Sequence, residues 1–170
     1  MTRRDLIHKW SVYALGLLLV WVLDAYLLPR YPLLGVSPML LPSALAAVAV
    51  LEGAYAGTGF GLAVGLLWEL GYPGGFGGLV LFMALAGMMT GALSQYALAQ
   101  SRPGCLLCSA GVLGLLDGLR VLRGLVTQSA TLGALLRVAV PELLLSLAWT
   151  VPVYLLFRAV YHRVGGTKLA

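Results

Sequence analysis

Charged side chains are so sparse along this chain that the apolar stretches between them set its organisation. None occurs over the 21 positions 31–51, nor over the 32 positions 70–101. Runs of this length suit helices that cross about 30 Å of hydrocarbon, which takes roughly 20 residues each. The positions of proline, clustered glycine and charge predict six such spans, at 10–28, 34–52, 55–71, 78–99, 105–123 and 135–158. Pro29 ends the first, "GYPGGFGG" separates the third from the fourth, and "QSRPG" the fourth from the fifth. Pro141 and Pro152 are expected to kink the sixth. The fold class expected is all-α, a polytopic membrane bundle of six helices forming one domain over 1–170.

Composition strengthens that reading. The chain is 61% hydrophobic and 10% charged, with a mean hydropathy of +0.95, whereas soluble domains carry about 25% charged residues. Helices satisfy every backbone donor and acceptor internally, as hydrocarbon demands, and six of them leave no length for a separate soluble domain. The net charge of +5 raises nucleic acid as a partner. However, the basic residues stand singly or at the chain ends, with no basic stripe and no interleaved aromatics, so nucleic acid is not expected. Topology explains the surplus better. With the N-terminus inside, Arg3, Arg4, Lys9, Arg102, Arg158, Arg163 and Lys168 are cytoplasmic, against Arg30, Arg120, Arg123 and Arg137 outside. Both termini are therefore expected in the cytoplasm. The basic start "MTRRDLIHKW" precedes an apolar run without a small-x-small cleavage site, which reads as an uncleaved first span.

Candidate chemistry is thin. The two cysteines form one CxxC, Cys105 and Cys108, inside an apolar segment. A zinc site usually needs four ligands, so no metal or cofactor is expected and helix packing is the better reading of the pair. His8 and His162 lie in terminal segments, away from any metalloprotease pattern. Asp117-Gly118 matches only the start of the aspartate motif of lipid-headgroup phosphotransferases, without the later paired aspartates. No nucleophile has a base in evident reach, and catalysis is not expected.

Glycines and acids carry more information. Gly57, Gly61 and Gly65 recur every fourth residue, as do Gly87 and Gly91. On helices such spacing makes a small-residue face that lets another backbone come close. That face is either internal packing or a docking surface for another membrane protein. Asp24, Glu52, Glu69, Asp117 and Glu142 fall inside or at the ends of spans, where charge is costly. Asp24, Glu52 and Glu69 are expected near span ends, where snorkelling is open to them. Asp117 and Arg120 are three apart and expected to pair on one helix face. Glu142 is about 140° around the helix from Arg137, so it needs a partner from another span, water, or its own protonation.

The segment "GAYAGTGFGLAVGLLWELGYPGGFGGLVLFMALAGMMTG", 53–91, resembles the rod shape-determining protein MreD family. Gly59-Phe60 opens the matching run, Gly65-Leu66-Leu67 continues it, and Glu69 stands where the family usually has aspartate. Gly77 or Gly78 follows the turn, Ala84-Leu85 comes next, and Gly87 and Gly91 close it. Length, basic N-terminus and the prolines of "SPMLLPSALAAVAV" also fit. The resemblance implies a non-catalytic scaffold of the bacterial elongation machinery in the cytoplasmic membrane. It implies binding to an MreC-like protein and, through it, to RodA, a class B penicillin-binding protein and MreB. MreD-like proteins look akin in fold to the substrate-binding components of energy-coupling-factor transporters. A vitamin-binding role is thus the alternative, although the first span offers only Ala14 and Ala25 in place of an alanine-xxx-alanine surface.

Overall fold

The computed structural model describes residues 3–30, 36–71, 78–96, 102–127 and 132–164. They form six α-helices: α1 (Arg3–Val22), α2 (Leu41–Glu52), α3 (Ala54–Gly71), α4 (Gly78–Tyr96), α5 (Arg102–Val126) and α6 (Leu132–Val164). After α1 the chain continues through a π-helical turn, Leu23–Leu27, and a 3₁₀ turn, Leu28–Arg30. Four segments are long and apolar enough to cross a membrane: Ile7–Arg30, Gly78–Tyr96, Pro103–Val126 and Leu132–Arg163. The chain is an all-α bundle with the composition and helix lengths of a membrane protein. Of the breaks expected at "GYPGGFGG" (71–78) and "QSRPG" (100–104), residues 72–77 and 100–101 lie outside the described residues, while Arg102, Pro103 and Gly104 are not a break but open α5.

The second expected span is corrected. Helix α2 begins at Leu41 rather than near 34 and has 12 residues, about 18 Å at 1.5 Å per residue. Pro38 disfavours helix at the residue before it, and Pro42 suits the first helical turn, where its missing N–H costs nothing. A helix this short cannot span lipid alone, and it does not have to. All 12 of its residues are buried, wrapped by α3, α4, α5 and α6. Irregular backbone at membrane depth is tolerated when protein encloses it and satisfies its polar groups. Both donors preceding α2 are satisfied: Met39 N–H donates to Ser146 Oγ at 2.9 Å, and Leu40 N–H to Asp24 Oδ1 at 2.7 Å. Ser43 and Thr150 hydroxyls, 2.9 Å apart, extend the polar seam between α2 and α6.

The chain reverses at Gly53, between α2 and α3. Its φ of +91° and ψ of −172° belong to a region only glycine adopts readily. A methyl group added at Gly57 would come within 2.8 Å of the Ala49 Cβ. Residues eight apart in a continuous helix lie about 12 Å apart, so the two helices fold back on each other. Helix α6 runs unbroken for 33 residues through Pro141 and Pro152. Near its C-terminal end, Phe157 stacks on Tyr13 of α1 (ring centroids 6.1 Å apart) and meets Phe60 of α3 edge-on at 5.8 Å. The start of α1 and the end of α6 therefore share one end of the bundle.

Candidate functional site

The glycine faces of α3 and α4 meet each other. A methyl at Gly57 would stand 2.5 Å from the Gly87 carbonyl oxygen, and one at Gly65 would stand 2.6 Å from the Val80 Cα. At Gly61 it would collide with the Met83 carbonyl oxygen, at Gly87 with the Gly57 carbonyl oxygen, and at Gly91 it would lie 2.5 Å from the Ala54 nitrogen. In each case the obstacle is backbone, which cannot swing aside as a side chain can. Of the two readings of these glycines, internal packing holds: all five are buried and the seam is filled by the protein itself.

The acids divide into two groups at opposite ends of the bundle. At the end holding the start of α1, Lys9 Nζ lies 2.5 Å from Glu52 Oε2, with side-chain exposures of 2% and 1%. Tyr13 Oη donates to Glu52 Oε1 at 2.8 Å. Lys9 and Tyr13 are four apart and so share a face of α1. Glu52 is thus no snorkelling acid, as its place at the end of the second span suggested. It is enclosed and paired, because the α2–α3 reversal turns it beneath α1.

At the other end, Asp24 is buried on the π-helical turn and accepts the Leu40 N–H beside the start of α2. A carboxylate there satisfies an otherwise orphaned donor and faces the positive end of the helix dipole. Buried in this way, Asp24 does not snorkel, the course open to it at a span end. Arg120 departs from the expected pairing with Asp117. Its Nη1 reaches Glu142 Oε1 at 3.4 Å, and its guanidinium lies 5.6 Å from the centre of the Trp68 ring, within cation–π range. Of the alternatives open to Glu142, the structure supplies a partner from another helix. Asp117 Oδ2 and Glu69 Oε1 are buried without a hydrogen-bond partner. Arg120 nevertheless acts electrostatically on Asp24, Asp117 and Glu142 together. Cys105 and Cys108 are free, buried thiols in α5. Among the described residues no group of three or more His, Cys, Asp or Glu is placed to hold a metal ion.

A groove of about 520 Å³ opens between α1 and α3, which the sequence analysis did not anticipate. Its lining includes Trp10, Tyr13, Ala14, Glu52, Gly59 and Phe60. Two of its lining rings, Tyr13 and Phe60, pack on Phe157 of α6. Toward the other end of the bundle the Trp21 side chain bridges the two helices, its Nε1 donating to the Leu67 carbonyl at 3.2 Å. The available signal was the second small-residue face of α3, formed by Ala56, Gly59 and Ala63. At about 100° per residue it lies roughly opposite the Gly57–Gly61–Gly65 face.

An all-α bundle of membrane composition, with a glycine-welded helix pair and a lateral groove, is the class of protein these features define. No protein-family model, curated protein or solved structure matches the chain.

Proposed function

We propose that this chain is a non-catalytic scaffold of the MreD kind in the bacterial cytoplasmic membrane. Both termini are cytoplasmic, and the chain binds an MreC-like protein and, through it, RodA, a class B penicillin-binding protein and MreB. One observation carries the reading. Within the described part of segment 53–91, on which the resemblance to the MreD family rests, Gly57, Gly61, Gly65, Gly87 and Gly91 are each required by a backbone-to-backbone contact, whereas a methyl at Gly59 or Gly78 would meet nothing within 4 Å. The four-residue repeat within that pattern therefore has a physical cause in this chain. The start of α1 and the end of α6 at a common end of the bundle support an even number of crossings. They also support the finer fold assignment, a six-helix bundle like the substrate-binding components of energy-coupling-factor transporters.

Cell shape tests the function. Depleting the protein from its rod-shaped host should give round cells, and re-expression should restore rods. Rods that persist through depletion would remove the scaffold reading. A vitamin retained by the purified protein would move the assignment to the transporter component.

A further inference from the structure

We infer that the carboxylates gathered around Arg120 form a proton-binding site, in which Asp117 holds a proton at neutral pH and releases it to let Arg120 change partner. The inference concerns this end of the bundle alone and does not depend on the scaffold reading.

Four ionisable groups from three elements gather here. Asp24 comes from the π-helical turn after α1, Asp117 and Arg120 from α5, and Glu142 from α6. Arg120 acts electrostatically on all three acids, and Asp24 and Asp117 act on Glu142. From α3 comes the Trp68 ring, 5.6 Å from the guanidinium, with Glu69 as the next residue. The two remaining helices add no charge nearby, since Glu52, at the far end of α2, is the only charged residue in α2 and α4.

Three carboxylates thus face one guanidinium, and two of the three have a donor. Leu40 N–H serves Asp24 at 2.7 Å and Arg120 Nη1 serves Glu142 at 3.4 Å. Asp117 is 7% exposed, and its Oδ2 is buried with no hydrogen-bond partner among the described residues. An exposed aspartate is ionised at neutral pH. An ionised oxygen enclosed without donor or water is the costliest arrangement for a carboxylate. A proton removes that charge and needs no room. A metal ion does not fit, because among the described residues no three such acids are placed to hold one.

Arg120 is placed to respond. Its side chain is 48% exposed and its 3.4 Å contact with Glu142 is longer than the about 2.7–2.9 Å of a strong charge-assisted bond. Asp117 lies three residues before it, on the same helix face. When Asp117 gives its proton to the water that reaches Arg120, the new charge draws the guanidinium away from Glu142 and Trp68.

Infrared spectroscopy of the full chain in mild detergent reads the proton directly. At neutral pH the wild-type protein should show a protonated-carboxyl C=O band that shifts when aspartate carboxyl groups are isotope-labelled. Asp117→Asn should lose the band. Alkaline titration should remove it from the wild type and change the fluorescence of Trp68, taken as the difference between wild-type and Trp68→Phe proteins. Asp117→Asn should lose that fluorescence change as well. Absence of the band in the wild type at neutral pH overturns the inference, as does a band that ignores the aspartate label or persists in Asp117→Asn. Trp68 fluorescence that stays constant while the band disappears also overturns it. The label requires no substitution, so the inference can fail on the wild-type protein alone.

Discussion

Replacing Gly61 by leucine sets the packing of α3 on α4 against the smallest possible change in chemistry. At Gly61 the first added carbon already overlaps the Met83 carbonyl oxygen, and it lies 2.8 Å from the carbonyl carbon and 2.9 Å from the Ala84 Cα. Ordinary contact begins at 3.4 Å, so the helices must separate by at least 0.6 Å (3.4 Å less 2.8 Å) before the rest of the side chain is placed. A gap of about 0.5–1 Å forfeits a quarter to a half of each dispersion contact. The loss is shared along the seam, because Gly57 against Gly87 and Gly91 against Ala54 cannot stay in contact while Gly61 is pushed away. Overpacking by one methyl costs about 1–3 kcal/mol, which sets the expectation for Gly61→Ala. Gly61→Leu should exceed it and leave little folded protein. The assay is tryptophan-fluorescence unfolding in mild detergent, with size-exclusion chromatography for aggregation and Gly59→Leu as the matched control. A monodisperse Gly61→Leu protein with the wild-type unfolding temperature would refute the packing described for this seam.

Other substitutions probe the polar groups. Glu52→Gln or Lys9→Ala leaves one buried charge without its counter-charge and should destabilise the chain by about 3–5 kcal/mol. By contrast, Lys9→Met combined with Glu52→Leu should recover most of that loss; equal unfolding temperatures for the single and double variants would deny the pairing. Asp24→Ala should cost about 0.5–2 kcal/mol by orphaning the Leu40 N–H, and Asp24→Asn, which keeps an acceptor oxygen, should cost less. Arg120→Ala is expected to cost at most about 1 kcal/mol, because the guanidinium is 48% exposed and exposed pairs contribute little. A double-mutant cycle with Glu142→Gln measures that coupling, and a value well above this range would mean the pair is more enclosed than the structure has it.

Much of the fold was legible in the sequence because lipid makes local rules strong. Glycine and proline clusters bounded α3 and α4 closely, and the four-residue glycine spacing identified the faces that meet. The length of α2 was not legible from hydropathy, since 31–51 is uniformly uncharged. Pro38 and Pro42 were the cue that a buried half-length helix begins there. The partners of the acids were beyond reach for a different reason. Lys9 meets Glu52 across 43 positions and Arg120 meets Glu142 across 22, so only tertiary packing decides them. Local spacing favoured Asp117 for Arg120, and that choice lost because α6 brings a second carboxylate beside the exposed guanidinium. The groove escaped notice because Ala56, Gly59 and Ala63 lack the even four-residue repeat of the buried face.

Native mass spectrometry of the chain, extracted in mild detergent after co-expression with the MreC-like protein of its own organism, is the most direct measurement. The expected spectrum shows this 17.9 kDa chain bound to that protein, with no small organic ligand retained. A chain that leaves the membrane as a water-soluble monomer, or that carries a tightly held vitamin and no protein partner, would contradict its assignment as a membrane scaffold.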